Sequence, residues 1–160
     1  MKKQSKINIF TDGSYDAHHK TGAWAGIIVS GDEEKTLTGS DEKQSQHVME
    51  LKAVIRCIEY AIRNYENVSK IQIYTDSSYV KNLIPRREKL QNAGFKTKKG
   101  VHIANRPWVE YFYNLIKNQP IEIEKICSHQ KKGVSEATDY NRKVDQLARR
   151  LLKRKIKGLD

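Results

Sequence analysis

Apolar residues alternate with polar ones at Ile7, Ile9 and Thr11, which predicts a first strand running straight into Asp12-Gly13-Ser14. A polar turn over 15–21, with His18 and His19 in it, leads to residues 22–31, a second strand apolar enough to be buried on both faces. Residues 32–35 predict a hairpin turn and 36–40 a short third strand, so the chain opens as an antiparallel meander. Over 45–65 the period changes: Leu51, Val54, Ile55, Ile58, Ala61 and Ile62 recur at helical spacing and leave one face apolar. Alternation returns at 70–75, a fourth strand that ends in Thr75-Asp76. With a helix between it and the meander, this strand should pair in parallel through a right-handed crossover. If its neighbour is the first strand, Asp12 and Asp76 emerge at the same edge of the sheet.

Residues 77–84 predict a short helix stopped before Pro85, followed by an irregular basic region over 86–107. Asn105 and Pro107 mark the start of a helix that packs through Val109, Phe112 and Leu115 or Ile116. A fifth strand over 121–126 ends at Cys127-Ser128-His129, and 130–139 reads as a polar loop with Asp139 on its surface. The last helix should begin near Tyr140, with Val144, Leu147, Ala148 and Leu151 as its apolar stripe, and 153–160 should form a basic, frayed tail. The expected architecture is α/β, a five-stranded mixed sheet of antiparallel meander and parallel strands flanked by helices. A chain of 160 residues fits one domain over 1–160, with its core at about 6–150.

Charge narrows the partners. Thirty basic against 19 acidic side chains give a formal charge of +11, which favours a polyanion. No apolar run spans a bilayer, and the basic start at 1–6 has no apolar segment after it, so neither a membrane nor a signal peptide is expected. Cys57 and Cys127 fit no metal-binding spacing and read as small buried hydrophobes of a reduced, cytoplasmic protein. Nucleic acid is the expected partner. The basic stretch 86–107, with Phe95 and Trp108 among its cations, reads as a phosphate-contacting protrusion.

Four carboxylates carry the candidate chemistry: the strand-end residues Asp12 and Asp76, and Glu50 and Asp145 beside the buried faces of two helices. Gathered at one point they would repel one another, and hard cations with oxygen ligands would remove that cost. Two such ions about 3.5–4 Å apart can activate water and stabilise the leaving oxygen of a phosphodiester. Spacing alone leaves open whether the four meet.

Thr11-Asp12-Gly13-Ser14, Met49-Glu50-Leu51-Lys52-Ala53, Thr75-Asp76-Ser77-Ser78-Tyr79-Val80 and the run from Asn141 to Arg149 together resemble the ordered motif set of type 1 ribonuclease H. The likeness extends over about 6–150. The run from Cys127 to Gly133, and the long spacing from His129 to Asn141, resemble the version in retroviral reverse transcriptases. The resemblance implies a ribonuclease H-like fold and two-metal hydrolysis of the RNA strand of RNA–DNA hybrids, leaving 5′-phosphate and 3′-hydroxyl ends. It implies two Mg²⁺ ions, with Mn²⁺ as a substitute, held by Asp12, Glu50, Asp76 and Asp145. His129 takes the place of a loop histidine that assists proton transfer or product release, a task suited to a group titrating near neutrality.

Substrate contacts implied in the same way are Gly13, Ser14, Gln46, His47, Ser78 and Asn141, with Lys96, Lys98, Lys99 and Trp108 on the protrusion side. Gln46, His47 and Ser78 depart from the asparagine and glutamine frequent at those places. No protein partner is required, and a monomer without a separate hybrid-binding domain before it is expected. Two competing readings share the fold: a non-catalytic hybrid-binding module, against which four intact carboxylates argue, and a resolvase, transposase or integrase. The latter usually lack the Met-Glu-Leu and Asn-x-x-x-Asp contexts.

Overall fold

The alternating segments form β1 (Ser5–Asp16), β2 (Thr21–Ser30), β3 (Glu33–Glu42), β4 (Val68–Thr75) and β5 (Ile121–Lys125) in a computed structural model that describes residues 5–127, 133 and 135–158. They pair in the order β3-β2-β1-β4-β5, antiparallel within the meander and parallel from β1 to β4 to β5. Helix α1 (Gln46–Asn64) supplies the expected crossover, and α2 (Ser78–Asn92), α3 (Arg106–Ile116) and α4 (Glu136–Ile156) complete the chain. Among the described residues no helix is long and apolar enough to cross a membrane.

Period-two alternation along β1 divides the core in two. Ile7 and Ile9 face α1, where they pack with Ile71, Ile73, Leu51, Val54, Ile55 and Ile58. Phe10 faces α4 and packs with Ala25, Ile27, Val144 and Ala148. Its ring lies between Tyr74, with centroids 5.0 Å apart, and Tyr140, at 4.4 Å. This stack fixes α4 against the two central strands, on the face and at the end where Asp12 follows.

Several boundaries differ from the pattern-based expectation, among them both ends of β3, which runs from Glu33 to Glu42 where 36–40 was expected. Strand β1 does not stop at Asp12; it stays paired with β2 through Asp16↔Thr21, because Gly13 and Ser14 remain in the ladder. Helix α2 does not end before Pro85 but runs through it to Asn92. A mid-helix proline costs about 3 kcal/mol. Leu83 and Leu90, on either side of Pro85, are both buried, and each returns roughly 1.5–3 kcal/mol, so burial outweighs the break. Helix α4 begins at Glu136, one turn ahead of Tyr140, because Ser135 Oγ accepts from the Thr138 N–H at 3.0 Å. Asp139 is therefore in a helix, where its carboxylate accepts from the Gly133 N–H. The same helix extends through Ile156, so the start of the expected tail is helical, and Leu152 rather than Leu151 is buried.

Cys57 is buried as expected, but Cys127 is exposed, since β5 already ends at Lys125. Gly26 shows how tightly α1 sits on the sheet: a Cβ there would lie 2.1 Å from Cys57 Sγ. Gly26→Ala should lower stability by about 1–3 kcal/mol, read as a fall in the denaturant midpoint at constant slope. Cys57→Ala in the same chain should recover most of that loss, a non-additivity that two independent sites would not show.

Candidate active site

Parallel register brings the two Thr-Asp pairs together. The last β1–β4 partners are Phe10 and Tyr74, and two residues beyond each lie Asp12 and Asp76. Helix α4 crosses the same face and delivers Asp145. These three aspartates line one open cleft of about 650 Å³, together with Gly13, Ser14, Gln46, Asn141, Arg142, Gln146 and Arg149. Asp12 is 7% exposed, and its Oδ1 accepts from the Gly13 N–H at 2.9 Å. Burial, then the Asp76 charge, then a hydrogen bond and charge from Asp145 push its carboxyl up to about 9. One backbone donor offsets only part of this. Asp145 is held in turn by Arg149, whose Nε donates to Oδ1 at 3.1 Å.

Glu50 approaches from the opposite face of the sheet and is buried behind Gly13 instead of on the cleft surface. A Cβ on Gly13 would meet Glu50 N and Met49 C at 2.5 Å, so only glycine lets α1 come this close. Glu50 Oε1 lies 3.4 Å from His47 Nδ1, and the His47 ring stacks on Tyr79 with centroids 4.2 Å apart. Gln46 donates from Nε2 to the Gly13 carbonyl at 2.8 Å, tying the start of α1 to the same turn of β1. Asn141 is buried on the α4 side and its Oδ1 has no hydrogen-bond partner among the described residues.

The other expected contacts are not among the residues that line this cleft. His47 and Ser78 are exposed and do not line it. Lys96, Lys98 and Lys99 are exposed on the segment between α2 and α3, which a Lys96↔His102 bridge closes. Trp108 is half-buried against the core under Lys52 and Arg56, whose charged ends lie 5.4 and 5.8 Å from its ring. His129 lies outside the described residues. Arg142, Gln146 and Arg149 were not expected at the site; their helical spacing around Asp145 is the signal that could have placed them there.

The RNase H family model matches residues 4–153. The chain belongs to the RNase H family. This RNase H chain is 29% identical over 150 residues to the Ribonuclease H of Syntrophomonas wolfei, covering 92% of this chain and 97% of that protein. It is 29% identical over 154 residues to the Ribonuclease H of Acetivibrio thermocellus, covering 95% and 98%. Among solved structures it is similar to LC9-RNase H1, a type 1 RNase H with the type 2 active-site motif, with TM-score 0.76 and 16% identity over 96% of this chain and 74% of that one. It is also similar to the PFV RNase H domain, with TM-score 0.68 and 21% identity over 94% and 96%. A third is LC11-RNase H1 in complex with an RNA/DNA hybrid, with TM-score 0.67 and 13% identity over 94% and 99%. At these identities the structures establish the fold.

Within this RNase H fold the cleft carboxylates are an all-oxygen donor set, which suits Mg²⁺ or Mn²⁺. Asp12, Asp76 and Asp145 face the cleft without closing into a cage: among the described residues no three acidic, imidazole or thiol groups are already drawn together tightly enough to hold an ion. Burial first, and then the charges of Asp76 and Asp145, disfavour the ionised Asp12 carboxyl, and a bound cation would offset that cost. The donors present fit the expected metal.

Proposed function

We propose that this chain is an endoribonuclease that hydrolyses the RNA strand of RNA–DNA hybrids with divalent metal ions. The observation that carries this reading is the convergence of Asp12, Asp76 and Asp145 on one cleft in an RNase H family chain. Relatives named Ribonuclease H along nearly the whole chain, and a similar fold solved with an RNA/DNA hybrid, support the substrate.

Asp12, Asp76 and Asp145 would hold Mg²⁺ or Mn²⁺, with Glu50 as a fourth ligand reached across Gly13. When bound, two such ions supply a water activated for attack and neutralise charge on the leaving oxygen. Water adds to phosphorus and the bond from phosphorus to the ribose 3′-oxygen breaks. The phosphate stays on the downstream 5′ end, and the 3′-oxygen takes up a proton, with His129 as the candidate donor. Gln46 fixes the Gly13 carbonyl, and with it the backbone that presents Asp12 to the scissile strand. Gly13, Ser14, Gln46 and Asn141 offer polar groups along the cleft to the ribose 2′-hydroxyls, which distinguish RNA from DNA.

End-group analysis tests the chemistry. RNA fragments should carry 3′-hydroxyls that a polymerase extends without phosphatase treatment, and 5′-phosphates; 2′,3′-cyclic phosphate ends would rule out this route. The exposed Lys96, Lys98 and Lys99 would contact the DNA strand of the hybrid. Replacing all three with Gln should weaken hybrid binding and reduce its salt dependence by about one unit of log-log slope for each phosphate that goes unneutralised. A slope equal to the parent's would remove the protrusion from the interface.

A further inference from the structure

Helix α4 brings cations, not only a carboxylate, to an acidic cleft. Arg142, Gln146 and Arg149 all line it, at helix offsets of four and seven residues that place them on one stripe. Lys153, one turn further, continues the stripe on the exposed side of the helix. From Arg142 to Lys153 the rise is roughly 16 Å, enough to follow several successive phosphates of one strand. The helix dipole explains part of this charge: Lys153, Arg154 and Lys155 fall in the last turn, where cations are favoured. It does not explain Arg142, which lies in the second turn, near the end of the helix where the dipole favours no cation. Neighbouring Lys143 is paired with Glu34 of β3 on another side of the helix, at 3.1 Å, so the stripe is separate from that pair.

We propose that the Arg142–Gln146–Arg149–Lys153 stripe of α4 is a second phosphate-binding track, which grips the scissile strand beside the carboxylate cleft and is distinct from the protrusion between α2 and α3. The inference rests on the hybrid-cleaving function proposed above. Its physical content is a division of labour within one wall. Asp145 serves the metals, while the cations one turn to either side hold the flanking backbone, so that the strand lies across the aspartates. Arg149 has both neighbours: its Nε is on Asp145, and guanidinium carries further donors in a fixed fork that suits phosphate oxygens. Gln146 adds an uncharged donor between the two arginines.

The test uses the full chain carrying Asp12→Asn, so that bound hybrid stays intact, and compares it with the same chain carrying Arg142→Gln, Lys153→Gln or both. Arg142 and Lys153 are exposed, and unchanged helical circular dichroism would verify each fold. Each replacement should raise the hybrid Kd about 3- to 10-fold at fixed salt, and lower the log-log salt slope by about 0.9. A walk of single methylphosphonates along the RNA strand supplies the readout that general electrostatics would not move. Neutralising one particular phosphate should weaken the parent, and that same position should become silent in Arg142→Gln. Unchanged slopes, or losses that are equal at every methylphosphonate position, would overturn the track. In either of those cases the parent still binds hybrid and the proposed function stands; a parent that does not bind hybrid at all would overturn both.

Discussion

Asp12→Asn should lower hybrid cleavage by at least about a thousandfold, equivalent to roughly 4 kcal/mol of transition-state stabilisation. The side chain keeps its shape, so the loss isolates the charge that a metal ion needs. The same substitution should make the metal-free protein more stable at neutral pH. In the folded chain without metal, burial and the charges of Asp76 and Asp145 push the Asp12 carboxyl from its ordinary 3.8 up to about 9. Between those values the native state holds a proton that the unfolded chain has released. The stabilisation is therefore complete below about pH 3.8 and is lost progressively as pH rises toward 9. Asparagine stands in for the protonated acid at every pH, and its amide can donate to Asp145. In EDTA at pH 7 the gain should be on the order of 2 kcal/mol, shrinking to nothing at pH 4. Saturating Mg²⁺ should reverse the order, because ligand binding stabilises only the chain that retains Asp12. Thermal melts of both proteins, with and without Mg²⁺ at several pH values, check the sign. A variant no more stable than the parent in EDTA at pH 7 would mean that Asp12 is not under this electrostatic load.

Gly13→Ala should be nearly as damaging, by a different route. The new Cβ would lie 2.5 Å from the backbone at Met49 and Glu50, which can yield only if the whole start of α1 moves off the sheet. A loss of about 2–4 kcal/mol is expected. A further loss of kcat should persist at temperatures where the variant remains folded, because Glu50 travels with the displaced helix. Gly22→Ala is the control. The three atoms nearest its Cβ would be Met49 Cγ and Sδ and Tyr15 Cδ2, all of them side-chain atoms and none of them helix backbone. Should the two variants prove equally mild in denaturant midpoint and kcat, the close backbone approach at Gly13 would not be what positions Glu50.

Much of this architecture is legible in the sequence because period is a strong signal. Alternation located β1, β4 and β5, a continuous apolar run located β2, the apolar stripe located α1, and the helix between strands required β4 to lie parallel to its neighbour. The Thr-Asp pairs at Asp12 and Asp76 then reach the same sheet end through register alone. What escaped was set by tertiary burial or by residues with two local meanings. Gly13-Ser14 has the composition of a turn, yet serves as a flat stretch of strand that admits a helix. Pro85 is a helix breaker by propensity, overruled by Leu83 and Leu90. The first turn of α4 is polar enough to pass for loop, although Ser135 followed by Glu136 and Thr138 is a capping signal.

The site divides along the same line. Asp12 and Asp76 could be placed because the parallel register of β1 and β4 carries both to the same level of the sheet. The position of Glu50 behind Gly13 depends on a backbone distance that no spacing encodes. Arg142 and Arg149 look like ordinary solvated helix residues until the helix is docked, when they become a wall of the cleft.

Hydrolysis of hybrid RNA is read by incubating purified protein with end-labelled RNA–DNA hybrid, duplex RNA, duplex DNA and single-stranded RNA, with Mg²⁺, Mn²⁺ or EDTA. The hybrid's RNA strand should be cut with either metal and left intact in EDTA, with little or no cutting of the other substrates. An intact hybrid under both metals, or equal cutting of duplex or single-stranded RNA, would contradict the proposed function.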